Sequence, residues 1–124
     1  MRWGDIVLVD LNPVIGSEAN KIRPAVIVSN DGANSAAERH GRGVITVAPI
    51  TSNVTKVYPF QVRLPSDRTE TGLTAESKIQ VEQIRAVDVV RVGRHLGRLP
   101  AFLRGPLREA LAIHLGLRNT DGQP

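Results

Sequence analysis

A mainly β domain with one C-terminal helix, bent into a small barrel or half-barrel, is the fold this chain predicts. Three observations carry that prediction. Short β-branched runs recur at close spacing from residue 6 to residue 98, turn-forming residues punctuate them, and the one long stretch at helical spacing comes last. Neither repeats nor linkers break the chain, so a single domain is expected over 1–117, followed by a disordered tail over 118–124.

Residues 6–11, Ile-Val-Leu-Val-Asp-Leu, read as a first strand, which Asn12-Pro13 ends. A polar loop over 12–22 leads into a second strand at 24–29. Residues 30–42 are rich in Asn, Asp, Gly and Ser and read as turns, with one short helical turn near 34–39. Residues 43–50 form a third strand, with Pro49 at its end or edge. Tyr58 to Leu64 alternates apolar and polar residues, as a half-exposed strand does. Pro65 to Gly72 is a charged, turn-rich and mobile loop. Lys78 to Arg85 alternates with period two, which places its polar members on one face. A short strand follows at 93–98. Pro100 suits the first position of a helix running to Leu115, with Leu103, Leu107, Ala110, Leu111 and His114 as its inner stripe and Gly116 as its stop. Pro106 falls in that helix's first turns or splits it.

Composition narrows the function. The 124 residues contain no cysteine, which excludes disulfides, thiolate metal sites and a cysteine nucleophile. Only Trp3, Tyr58, Phe60 and Phe102 are aromatic, so the core is aliphatic. The start of the chain does not read as a signal peptide, and no apolar run reaches membrane-spanning length; a cytoplasmic protein is expected. A net charge of +4 with a pI of about 10.3, carried mostly by arginine, favours a polyanionic partner.

Three polar clusters are candidates for chemistry. Ser17, Glu18 and Arg23 precede the second strand, where Pro24 restricts the backbone of Arg23. Thr51-Ser52-Asn53 follows the third strand. The polar face of 78–85 offers Gln80, Glu82 and Lys78. Each lies at a strand end or on a strand face, so the three can converge on one concave surface. The histidines are less promising: His114 reads as a packed core residue, while His40 and His95 read as loop residues on the surface or at phosphates. No carboxylate lies at ligand spacing beside them, so neither a metal nor another cofactor is expected.

Trp3-Gly-Asp-Ile-Val, Asn12-Pro-Val-Ile-Gly-Ser-Glu, Arg23-Pro-Ala-Val-Ile-Val-Ser-Asn-Asp, Val47-Ala-Pro-Ile-Thr-Ser-Asn and Val81-Glu-Gln-Ile-Arg, in this order, resemble the MazF/PemK/Kid family of toxin endoribonucleases. The resemblance implies an SH3-like barrel of the MazF/CcdB-like toxin type that forms a homodimer, cuts single-stranded RNA without a metal, and is neutralised by an acidic, MazE-like antitoxin. It places the catalytic pair on Arg23 and Thr51, with Glu18 beside them. It places RNA contacts on Ser17, Ser52, Glu82 and Gln83, to which Lys21, Asn53 and Gln80 are added as neighbours. Some members carry aspartate where this chain has Glu82, which bears on base preference.

The residue types suit RNA cleavage by its own 2′-hydroxyl, which leaves a 2′,3′-cyclic phosphate and a 5′-hydroxyl. Arg23 matches two phosphate oxygens with its planar guanidinium, and Thr51 can donate to a developing oxyanion. A guanidinium is a poor proton acceptor near neutral pH, so Glu18 is the better candidate for base, or it orients Arg23. Two other readings remain open at this point: a non-catalytic, gyrase-inhibiting toxin of the same fold, and a basic SH3-like nucleic-acid-binding module.

Overall fold

In the computed structural model, residues 1–12, 16 and 21–118 are described. The elements are β1 (Asp5–Asp10), β2 (Ile22–Ile27), α1 (Asp31–His40), β3 (Val44–Thr51), β4 (Val62–Leu64), β5 (Ser77–Ile79), β6 (Arg85–Asp88), β7 (Val92–Arg98) and α2 (Arg104–His114), with 3-10 turns between several of them. The strands form one antiparallel sheet in the order β4-β5-β3-β2-β1-β7, with β6 also paired to β3. This is the expected mainly β half-barrel with a C-terminal helix.

Apolar side chains alternate between two cores on opposite faces of the sheet. Ile6, Val26, Ala48 and Ile50 join Val62, Leu64, Ile79 and Val81 beneath α2, which contributes Leu107 and Ala110. Val7, Val9, Leu11, Ala25, Ile27, Ile45, Val47 and Val87 form the second core, closed in part by Ala37 of α1. The unbroken apolar runs of β1, β2 and β3 follow from this, because both of their faces are covered. Arg104 and Arg108 of α2 both lie over the Trp3 ring, at 5.0 and 4.4 Å from its centroid, tying the helix to the start of β1.

Several sequence expectations need correction. Residues 31–40 form a full helix rather than a run of turns: the Asn30 side chain caps it by accepting from the Ala33 amide at 2.8 Å, and Gly41 ends it in the left-handed region. Buried Asn34 clasps this helix to the sheet, donating to the Ser29 carbonyl while accepting from the Ser29 hydroxyl. Tyr58 to Gln61 is not strand, and β4 covers only Val62–Leu64. The C-terminal helix begins as a 3-10 turn at Ala101–Leu103 and becomes α-helical at Arg104, so Pro106 sits in the first α turn where no amide donor is needed. His114 is exposed rather than packed: it is the last residue of the helix, and Leu115 and Leu117 beyond it are exposed as well. The tail at 119–124 lies outside the described residues.

Candidate active site

Arg23 and Thr51 are brought together by the β2–β3 ladder. Ala25 faces Pro49, Val26 faces Ala48 and Ile27 faces Val47; the same register continued by two residues sets Arg23 opposite Thr51. Residues opposite each other in an antiparallel pair share a face. The ladder stops short of them, while on the other edge of β3 Ile50 and Thr51 pair with Ile79 and Lys78 of β5. Beyond the last β2–β3 pair, Ala25 with Pro49, a cleft of about 530 Å³ is lined by Arg23 and Thr51 with Pro24, Ser52, Asn53, Ser77 and the segment 73–75. Arg23 and Thr51 are half-buried, whereas Ser52 and Asn53 are exposed at the rim.

The Thr51 hydroxyl is oriented locally. Its oxygen accepts from the Asn53 amide at 3.2 Å, and the Asn53 side-chain oxygen accepts from the Thr55 amide at 3.3 Å. With its lone pair turned to Asn53, the hydroxyl has its hydrogen to offer as a donor.

Across the cleft, the backbone of Arg23 is set by pairing with Val9 of β1. The loop before it is pinched at its base: the Leu11 amide donates to the Lys21 carbonyl, and the Lys21 amide to Asn12 Oδ1, both at 3.0 Å. Arg85 and Arg91 reach from β6 and the following turn to the carbonyls of Asp10, Leu11 and Asn12, bracing the same corner. Lys21 is exposed and holds φ at 66°, a left-handed conformation unusual for a residue with a Cβ. The predicted site residues Ser17 and Glu18 lie outside the described residues.

The segment 78–85 departs from expectation. Thr51 faces Lys78 while Val47 faces Arg85, so four steps along β3 correspond to seven along its neighbour. The three extra residues are the 3-10 turn Val81–Gln83, which destroys the shared polar face that the period-two pattern implied. Lys78 is buried and its ammonium holds the Lys56 carbonyl. Half-buried Glu82 accepts from Gln61 Nε2 at 2.8 Å, toward the 58–61 loop rather than the cleft. Gln80 and Gln83 are half-buried, and neither they nor Glu82 line the cleft with Arg23 and Thr51.

The cleft wall at Leu73, Thr74 and Ala75 had no signal in the sequence. It is fixed by the loop before it, which was expected to be mobile and is instead tied down. Arg68 and Glu70 pair through two bonds of 2.9 Å; Glu76 accepts from Arg63 and from the Ser66 amide, both at 2.8 Å. Those partners hold the Glu70 and Glu76 carboxyls below the usual range, chiefly through the arginine hydrogen bonds. Gly72 and Gly97 let this loop press on β7, since a side chain at either would run into main-chain atoms of the other segment.

The histidines stand apart from the cleft. His40 ends α1, and His95 lies in β7 with Nε2 3.5 Å from Asp5. Among the described residues, no group of three or more His, Cys, Asp or Glu is placed to hold a metal, and no helix is long and apolar enough to cross a membrane.

A family model of the PemK-like, MazF-like toxins of type II toxin–antitoxin systems matches residues 2–115. The chain belongs to that family. Among its relatives, endoribonuclease MazF9 of Mycobacterium tuberculosis is 56% identical over 117 residues, covering 94% of this chain and 98% of that one. The structure resembles MazF of Deinococcus radiodurans with a TM-score of 0.73 at 28% identity, covering 94% of this chain and 96% of that one. It also resembles a MazE–MazF structure from the same organism, with a TM-score of 0.64 at 26% identity and the same coverage. In this MazF-like chain the cleft offers a guanidinium on one strand and an oriented hydroxyl on the next. That pair can grip a phosphodiester and donate to oxygen atoms that gain charge.

Proposed function

We infer that this chain is a sequence-selective endoribonuclease acting as the growth-arrest toxin of a type II pair. The observation that carries the reading is the juxtaposition of Arg23 and Thr51 across an open cleft in a chain of this toxin family. Family membership and 56% identity to a named endoribonuclease support the activity. The substrate is cytoplasmic single-stranded RNA, whose 2′-hydroxyl can turn toward the adjacent phosphorus when no duplex restrains it. That hydroxyl attacks in line, the 5′-oxygen leaves with a proton given by Arg23, and the products are a 2′,3′-cyclic phosphate and a 5′-hydroxyl end. Arg23 binds the non-bridging phosphate oxygens and offsets the charge of the phosphorane. Thr51 donates its hydroxyl hydrogen to an oxygen that gains charge on the way there. Glu18 takes the 2′-hydroxyl proton or orients Arg23. The nucleophile belongs to the substrate and the positive charge to Arg23, so the reaction needs no metal-activated water.

A gyrase-inhibiting toxin would have no use for a phosphate grip opposite a hydroxyl donor, and that pair favours the nuclease. The toxin works as a homodimer and is neutralised by an acidic antitoxin. The basic net charge and the MazE–MazF pairing of a relative support the partner.

The test is cleavage of varied single-stranded RNAs in excess EDTA by the wild type and by Arg23→Ala. Cutting by the wild type alone, abolished by 2′-deoxyribose at the cut site, is the expected result. Loss of wild-type cutting in EDTA, or cutting that survives removal of the 2′-hydroxyl, defeats the mechanism.

A further inference from the structure

We propose that Arg98 and Arg104, with Arg2 beside them, form a binding site for a phosphate monoester, distinct from the cleft and independent of the nuclease reading. The site is a cavity of about 460 Å³ where the start of β1, the end of β7 and the start of α2 meet. It stands away from the proposed chemistry. Arg23 pairs with Val9, and Asp5, at the cavity, is four residues along β1 from Val9, or about 13 Å.

The cavity is built rather than incidental. Gly4 is buried in its floor, where its amide donates to the Ile27 carbonyl at 2.8 Å and its carbonyl accepts from the Leu99 amide at 2.7 Å. Gly4 holds φ at +90°, and a Cβ there would stand 3.2 Å from Arg104 Nη1, so the glycine lets that guanidinium lie against the strand. The two carboxylates of the cavity are engaged locally. Asp31 accepts from the Trp3 amide at 2.7 Å and stands 3.9 Å from Arg2 Nε. Asp5 accepts from the Arg2 amide at 2.9 Å and stands 3.5 Å from His95 Nε2.

Among the described residues, no carboxylate forms an ion pair with Arg98, Arg104 or Arg108. Arg98 acts on the Glu70 carboxyl through charge, but both oxygens of that carboxylate are bonded to Arg68. Arg104 and Arg108, one helical turn apart, are like charges held over one Trp3 ring, and the first turn of α2 carries no acidic residue. Like charges four apart destabilise a helix, and so does a cation in its first turn. Stability alone would not gather cations here; an anion in the cavity offsets both effects. Arg2, Arg98, Arg104 and Arg108 against Asp5 and Asp31 leave two positive charges in excess. A phosphate monoester carries about −1.5 to −2 at neutral pH and accepts guanidinium forks on its oxygens, whereas a carboxylate brings one charge. Two guanidiniums already cover the Trp3 ring, so the ligand meets cations and not a stacking face. A free monoester and the 5′-phosphate of an RNA end present the same group.

Trp3 is the one tryptophan of the chain and serves as the reporter. The protein is titrated with inorganic phosphate, with adenosine 5′-monophosphate, and with a short RNA that lacks the cut-site 2′-hydroxyl and carries either a 5′-phosphate or a 5′-hydroxyl. Sodium chloride at matched ionic strength is the control. Expected is a saturable change in Trp3 emission with monoesters, and a Tm that rises with their concentration. Arg98→Gln and Arg104→Gln each weaken binding about ten-fold or more, and Arg98→Lys weakens it less. A response to phosphate or the nucleotide assigns the site to a free monoester, and one confined to the 5′-phosphorylated RNA assigns it to an RNA end; either supports the site. An equal response to chloride overturns it, as does an equal response to the two RNAs with none to the free monoesters. Unchanged affinity in Arg98→Gln also overturns it, and that exposed side chain can be replaced without disturbing the core. A response to an acidic peptide alone assigns the cavity to a protein partner and overturns the proposal.

Discussion

Replacing Thr51 by valine keeps the shape of the side chain and removes its hydroxyl, so it isolates the donor. Two costs follow from the structure. In the folded protein the Asn53 amide loses its acceptor at 3.2 Å, but Asn53 is exposed and water can take the place of the hydroxyl. The stability cost is therefore about 0.5–1 kcal/mol, a few degrees in Tm for a domain of this size. On the proposed mechanism the loss in the transition state is larger, because there the donor would meet an oxygen gaining charge in the cleft. Removing one such donor typically costs about 2.7–4 kcal/mol, or 10²- to 10³-fold in rate. Cleavage of a fluorogenic RNA under saturating conditions should show that drop in kcat with little change in KM, and Thr51→Ser should recover most of it. A decrease below about five-fold, or a loss confined to KM, would show that the hydroxyl binds ground-state RNA or only shapes the loop. An unfolding transition shifted by much more than a few degrees would show that the turn, not the donor, is what the hydroxyl supports.

Three further outcomes are expected. Lys21→Gly relieves a left-handed backbone worth about 1 kcal/mol and so raises Tm, while weakening RNA binding by removing an exposed cation at the mouth of the loop; differential scanning fluorimetry and filter binding should move in opposite senses. Gly97→Ala drives a methyl group into the carbonyls of Glu70 and Thr71 and should cost about 2 kcal/mol or more in denaturant unfolding, whereas Gly105→Ala, where a Cβ meets nothing nearby, should not destabilise. The Glu70 and Glu76 carboxyls titrate lower in the folded state than in the unfolded chain, so their support for the 65–76 loop is complete above the ordinary glutamate range and is lost as pH falls through their lower folded values; amide exchange in that loop should accelerate in that acid window before the core does, and Glu76→Gln should remove part of the dependence.

Much of this was readable from the chain, and the exceptions have specific causes. The apolar runs of β1, β2 and β3 stood out because both faces of those strands are covered. The pairing of Arg23 with Thr51 could be anticipated through the family resemblance, and the register supplies its geometry. Residues 31–40 were misread because Asn, Asp, Gly and Ser weigh against a helix when counted singly. The informative signals were positional: Asn30 as an N-terminal cap, Gly41 as a stop, and Ala37 toward the core. The segment 78–85 was misread for a different reason. Its side-chain types alternate, but Val81–Gln83 coils into a 3-10 turn with no glycine or proline to announce it. Gln61 looked like the polar half of an exposed alternation and is buried instead, because its partners Tyr58 and Glu82 come from a loop and a turn that the pattern could not place.

The two prolines near the cleft explain why it exists, and one of them can be tested. Val28 donates its amide to the Thr46 carbonyl, so by the alternation of an antiparallel ladder Val26 and then residue 24 are next in line to reach β3. Residue 24 is proline and has no hydrogen to give, so the ladder ends at Ala25 and Pro49. On the opposite edge Pro49 accepts from the Gln80 amide but has none to return, and there the neighbouring strand slips by the 81–83 turn. A closed ladder would set the side chains at 23 and 51 about 5 Å apart at Cβ and narrow the gap between the strands. Pro24→Ala restores the missing donor opposite Ile50. One regained hydrogen bond, about 1 kcal/mol, is offset by about 0.4–1 kcal/mol of added freedom in the unfolded chain, so stability should change by less than about 1 kcal/mol. Activity should fall far more than stability, as the strands close between Arg23 and Thr51. Amide exchange gives the independent reading, since a protected amide at position 24 means that the ladder has extended. A fast-exchanging amide there, or cleavage at the wild-type rate with the amide protected, would show that the parting of β2 and β3 is set elsewhere, with the pull of β5 on Thr51 as the remaining cause.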